Sequence, residues 1–133
     1  MPEAVIVATA RTPIGRAFKG SLKEIRPDDL AAAAIRAVLD KVPELDPALI
    51  DDLMVGCAEP EGKQGLNMAR RLAVQLGYDN LPGTTVNRFC ASSVQTSRMA
   101  LHAIKAGEGH IFVSAGVESV SHYPAFQGAG GGS

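Results

Sequence analysis

"TTVNRFCASSVQTSRMALHAIKAG", residues 84–107, sets three kinds of sequence end to end: a run of β-formers, a cysteine at position 90, and a long helical pattern. Thr84, Thr85 and Val86 are β-branched and suit a pleated strand. Beyond the cysteine, Val94, Ser97, Ala100, Leu101 and Ile104 recur at the three- and four-residue spacing of a helix, which Gly107 is placed to end. Its small and apolar residues cover more than one narrow stripe, which predicts a helix packed on more than one side. Cys90 therefore falls at the seam where the carboxyl end of a strand meets the amino end of a helix.

Working outward, the same alternation repeats. "EAVIVATA" (3–10) is a short apolar, β-branched run that predicts a buried strand, ended by the punctuation of Pro13 and Gly15 in "RTPIG". "PDDLAAAAIRAVLDKV" (27–42) predicts a helix, with Asp28 and Asp29 in its first turn and Pro43 beyond its end. "DDLMVGCA" (51–58) predicts a second strand. "NMARRLAVQLGY" (67–78) predicts a helix with Asn67 as N-cap and Gly77 as stop. "HIFVSAGV" (110–117) predicts the last strand. The order strand, helix, strand, helix, strand, helix, strand argues for α/β units around a largely parallel sheet with right-handed crossovers and helices on both faces. In such sheets ligands bind at the carboxyl ends of the strands, where Cys90 lies. After Glu118, "SVSHYPAFQGAGGGS" has no sustained period and reads as a loop finishing in a glycine run, a flexible native loop in preference to an engineered tail.

Composition narrows the function classes. At 133 residues the chain is long enough for one domain with a hydrophobic core. A formal net charge of −1, with Lys and Arg scattered among Asp and Glu, provides no basic stripe and argues against nucleic acid as a partner. The amino-terminal stretch lacks the positive charge of a signal peptide, and no window approaches a membrane span, so a cytoplasmic protein is expected. Cys57 and Cys90 make neither a metal set nor a disulfide framework.

A thiol at a helix amino terminus sits among unpaired N–H groups and the positive end of the helix dipole, which favour the thiolate. A thiolate is a nucleophile for acyl groups, and the backbone N–H of Cys90 can face a developing oxyanion. The competing reading is a buried structural thiol between strand and helix. Position alone does not separate the two.

Three motifs do. "VNRFCASS" (86–93) resembles the nucleophile motif of the thiolases, an N-R/K-x-C-x-S core; "ATARTPIGRAFKGSL" (8–22) resembles the opening strand and Arg-Thr-Pro-x-Gly turn of that family; "SAGVESVSHYP" (114–124) resembles its Gly-x-Glu-Ser-x-Ser-x-x-Pro stretch. The resemblance implies the amino-terminal half of the thiolase fold, a mixed, mostly parallel sheet with helices on both faces. It divides the chain into an α/β domain over 1–118 and the start of a Gly-rich loop domain over 119–133, with the carboxyl-terminal half absent. It implies an acyl-CoA C-acyltransferase of fatty acid metabolism, of the β-oxidation kind, that cleaves a 3-ketoacyl-CoA with CoA to acetyl-CoA and a shortened acyl-CoA, or runs the reverse Claisen condensation. Cys90 is then the acyl-thioester nucleophile, its backbone N–H one of two oxyanion donors, and coenzyme A a substrate, with no metal and no permanently bound cofactor. Implied partners are the other half of the fold and further copies in a homodimer or homotetramer, with the strand before Cys90 paired across subunits. CoA-binding residues are not assigned.

The family's general bases, a histidine in a Gly-His-Pro motif and a cysteine in a Cys-x-Gly-x-Gly motif, have no counterpart in these 133 residues, nor does its Asn-Glu-Ala motif. His102 lies twelve residues along the helix from Cys90, about 18 Å at the helical rise, beyond the reach of a base. His110 and His122 are expected to be solvated or structural, Cys57 a structural thiol, and Glu118 and Arg11 structural support. The 133 residues alone are therefore expected to be inactive. The alternatives are a non-catalytic thiolase-like binding or scaffold module, against which the intact nucleophile core speaks, and a β-ketoacyl synthase relative, against which "VNRFC" and Glu-Ser-x-Ser speak.

Overall fold

The computed structural model describes residues 2–127. Within them, helix α1 (Pro27–Asp40), strand β1 (Asp52–Gly56), helix α2 (Met68–Gln75), strand β2 (Gly83–Val86), helix α3 (Ser92–Ala106) and strand β3 (Phe112–Gly116) follow in the expected order. β1 is central, paired in parallel with both neighbours in the order β2-β1-β3.

Strand alternation sorts the helices onto the two faces. Leu53 and Val55 of β1 are fully buried and belong to one apolar cluster with Ala31, Ala32 and Ile35 of α1 and Met68, Ala69, Leu72 and Ala73 of α2. Val113 and Ala115 of β3 pack against the same cluster. On the opposite face, the Ser114 hydroxyl meets those of Thr96 and Ser97 of α3 at 2.9 Å each. The sheet is therefore covered by α1 and α2 on one side and by α3 on the other.

The helix ends follow from sequence. Pro27 opens α1 without forfeiting a hydrogen bond, because first-turn N–H groups have no intrahelical partner. α2 stops where Gly77 takes φ +86°, with Gly77 N–H donating to Val74 O (3.0 Å) and Tyr78 N–H to Ala73 O (2.8 Å). Asn67 precedes α2 as expected but does not cap it: its backbone is left-handed, at φ 47°. Its side chain turns to β2 instead, donating to Gly83 O (3.0 Å) and accepting from the Thr85 hydroxyl (2.9 Å). The amide of Ala69, which a cap would serve, donates to Thr85 Oγ1 at 3.1 Å.

Two expectations are corrected. The stretch 3–10 is not a buried strand: Val5, Ile6 and Val7 are 75%, 86% and 75% exposed, and it joins no ladder among the described residues. β-propensity yields a strand only where a neighbouring edge takes up its N–H and C=O groups, and neither β2 nor β3 pairs with this stretch. Within this chain α3 packs on the sheet through Ser92 and Thr96, its buried residues, and leaves Val94 and Leu101 exposed. The loop after Glu118 holds two short helical turns, Val120–His122 and Pro124–Gln127. These are anchored by Phe18, whose N–H donates to Ser121 Oγ (2.9 Å) and whose ring meets Phe126 edge-on at 5.8 Å. The glycine run at 128–133 lies outside the described residues.

Candidate functional site

Cys90 is exposed, unbridged, and two residues before the start of α3. Three backbone steps carry the chain from β2 to it. Asn87 Oδ1 accepts from Phe89 N–H (2.8 Å), Phe89 takes the left-handed conformation at φ 49°, and Ala91 N–H closes back on Arg88 O (3.0 Å). A bulky residue in that conformation stores strain of about 1–3 kcal/mol, sustained only where surrounding bonds fix it. Ser92 contributes to that fixation. Its buried hydroxyl accepts from Arg88 N–H (2.8 Å) and donates to Phe89 O (2.7 Å), while Ser92 N–H also donates to Phe89 O (3.2 Å). The hydrogen bonds of the turn are thus donated by the amides of Arg88, Phe89, Ala91 and Ser92, and that of Cys90 is not among them.

Close packing beneath the turn sets its height above the sheet. A Cβ on Gly56, the last residue of β1, would lie 2.5 Å from Ser92 C and Ser93 N; one on Gly116, the last of β3, would lie 2.7 Å from Ser93 Cβ. Only glycine at both strand ends lets the first turn of α3 approach this closely. Cys90 therefore stands at the carboxyl edge of the sheet on a helix start that both neighbouring strands seat directly.

The second cysteine has a different environment. Cys57, 1% exposed, receives Gln64 Nε2 at 3.4 Å and approaches Glu118 Oε1 at 3.8 Å. Burial pushes its thiol up to about 11, with the Glu118 carboxylate adding to the effect. Expected as structural, it is so, and it has partners that its sequence context did not disclose. Glu118, although exposed in this chain, accepts from Ala58 N–H (2.7 Å) and Gln64 Nε2 (2.9 Å). Gln64 also donates to Glu59 O (2.8 Å) and accepts from Ser119 N–H (2.6 Å). The Tyr123 hydroxyl is raised above its ordinary range, first by burial and then by its hydrogen bond to Glu118. This network ties the loop after β1 to the loop after β3. Gln64, fully buried and central to it, was not singled out in the sequence because nothing local marks a glutamine whose partners Glu118 and Ser119 lie more than fifty residues away.

His102 and His110 are exposed. His122, expected as solvated or structural, is buried, with Nδ1 3.1 Å from Lys63 Nζ. Arg11 is exposed. Among the described residues no group of three His, Cys, Asp or Glu is arranged to hold a metal ion, and no helix is long and apolar enough to cross a membrane. A shallow groove of about 420 Å³ runs along α2, lined by Leu66, Asn67, Arg70, Arg71, Val74 and Gln75, away from Cys90. What the arrangement offers chemically is an accessible sulfur beside an unused amide on a rigid helix start.

Comparison with known proteins places this geometry. The family model described as "Thiolase, N-terminal domain" matches residues 4–130. A 3-ketoacyl-CoA thiolase of Bacillus subtilis is 45% identical over 125 residues, covering 93% of this chain and 32% of that protein. A β-ketoadipyl-CoA thiolase of Acinetobacter baylyi is 43% identical over 129 residues, covering 96% of this chain and 32% of that protein. The crystal structure of an acetyl-CoA acetyltransferase from Bacillus anthracis superposes with a TM-score of 0.85 at 32% identity, covering 93% of this chain and 31% of that one. The chain thus spans about a third of the length of the curated relatives it matches.

Proposed function

Since this chain belongs to the thiolase family, we propose that it is the nucleophile-bearing part of an acyl-CoA C-acyltransferase that cleaves a 3-ketoacyl-CoA with CoA, or condenses two acyl-CoA molecules in reverse. The observation that carries the proposal is the exposed Cys90 on a hydrogen-bonded turn at the amino terminus of α3. The names of the relatives, a 3-ketoacyl-CoA thiolase and a β-ketoadipyl-CoA thiolase, support the substrate class.

In the forward direction the Cys90 thiolate attacks the 3-keto carbon. The Cys90 N–H, unused by the turn, donates to the oxyanion as it forms. The bond between carbons 2 and 3 then breaks, leaving the acyl group on sulfur and the acetyl-CoA carbanion to take a proton. A second CoA thiolate attacks the acyl-Cys90 thioester and releases the shortened acyl-CoA. The proton donor and the second oxyanion donor come from residues outside these 133, which fits the exposure of α3's outer side. In the same proposal that remaining part of the fold, beginning with a loop domain at 119, covers α3. The edge of β2, unpaired among the described residues, meets a second copy in a homodimer or homotetramer. No permanent cofactor is required, and the enzyme works in the cytoplasm.

The test is thiolysis of a 3-ketoacyl-CoA by the full protein carrying this chain. Cys90→Ala should reduce turnover by about 10⁴-fold or more while leaving substrate binding in place. Turnover retained by Cys90→Ala would overturn the proposal.

A further inference from the structure

Ser92 performs a task that neither the family match nor the relatives' names assign. Its hydroxyl is buried and saturated on both sides, accepting from Arg88 N–H at 2.8 Å and donating to Phe89 O at 2.7 Å. These two backbone groups bracket the peptide that carries Phe89 at φ 49°, immediately before Cys90. The other side-chain bond in the turn, from Phe89 N–H to Asn87 Oδ1, is exposed, where water competes for both groups.

We infer that Ser92 is a positioning residue: its buried hydroxyl locks the strained Phe89 turn and so fixes the direction of the Cys90 sulfur and amide towards the acyl carbonyl. This rests on the acyl-transfer function proposed above. Without the hydroxyl, Arg88 N–H loses its acceptor, Phe89 O keeps only the 3.2 Å bond from Ser92 N–H, and the left-handed residue is free to relax. A relaxation of even about 1 Å at a nucleophile costs about a hundredfold in rate. Because the hydrogen bonds of the Ser92 hydroxyl go to the backbone of Arg88 and Phe89, the loss falls on the chemical step and spares ground-state binding.

The experiment uses the full protein carrying this chain and measures single-turnover transfer of an acetyl group from acetyl-CoA to Cys90, mapped by peptide mass. Ser92→Ala is expected to slow acylation by about 10- to 100-fold with KM changed less than about threefold, while Ser92→Thr, which restores a hydroxyl, regains most of the rate. Ser97→Ala, which removes a hydroxyl about one and a half turns further along α3, is expected to stay near the parent rate. A Ser92→Ala protein that acylates normally, a loss carried wholly by KM, or an equal loss in Ser97→Ala would overturn the inference.

Iodoacetamide labelling of Cys90 against pH gives a readout independent of acyl transfer. Ser92→Ala should change the labelling rate, and an unchanged profile would overturn the positioning role. If Cys90 of the parent protein takes no acetyl group, the acyl-transfer function fails, while this labelling profile still decides whether Ser92 fixes the thiol.

Discussion

Replacing Gly56 by alanine perturbs the nucleophile without touching it. The new Cβ would sit 2.5 Å from both Ser92 C and Ser93 N and 2.8 Å from Ser92 O, against an ordinary contact of 3.4–4 Å. All three are backbone atoms in the first turn of α3, so no rotamer change relieves the clash. Either β1 or the start of α3 must retreat by about 1 Å. β1 is held by parallel partners on both sides, so the start of α3 is the element that moves. Overpacking of this kind costs about 1–3 kcal/mol in stability. A shift of about 1 Å at Cys90 costs about a hundredfold in the rate of acyl transfer. Urea unfolding and single-turnover acylation, measured on the same Gly56→Ala preparation, test both numbers. Parent-like stability together with a parent-like acylation rate would refute the proposed seating of the helix start.

Further predictions concern charge and thiol chemistry. The Asp28 carboxyl is raised by burial but brought below its ordinary range by hydrogen bonds from Arg26 (3.0 Å) and Arg71 (2.9 Å). A depressed folded pKa gives stability present above the unfolded value of about 3.9 and lost as pH falls through the folded one. Asp28→Asn should therefore cost about 1–2 kcal/mol at neutral pH, the arginines being partly exposed, and should flatten the acid limb below about pH 4 in urea titrations. An acid limb identical to that of the parent protein would count against the Asp28 linkage. Cys57, pushed up to about 11, remains a thiol at pH 8, so brief alkylation there should label Cys90 at least about tenfold faster. Equal labelling would contradict the contrast between the two cysteines. The same raised value means stability present below about pH 8.5 and lost as pH rises towards 11, a limb that Cys57→Ala should remove.

The sheet and its three flanking helices were legible because their signals are local: Pro27 with two acidic residues opens α1, Gly77 ends α2, and β-branched Thr84 to Val86 mark β2. Residues 3–10 carry the same kind of signal and make no strand, because apolar alternation says nothing about whether an edge is available to pair with. Asn67 sits where an N-cap belongs yet bonds to β2, a choice made by the approach of Thr85 from another element. The placement of Cys90 followed from periodicity, but the left-handed Phe89 and the two hydrogen bonds of the Ser92 hydroxyl did not, since an ordinary phenylalanine gives no notice of positive φ. Glu118 carried a family motif, while its partner Gln64 carried none, and their bond spans 54 residues of chain.

The most direct test of the central claim is peptide-mapped mass analysis of the full protein carrying this chain after brief exposure to acetyl-CoA in the absence of a second thiol. An acetyl group on Cys90, discharged by free CoA and absent from Cys57, is the predicted result. No acyl adduct on Cys90, or one that free CoA does not remove, would contradict the assignment of Cys90 as the acyl carrier.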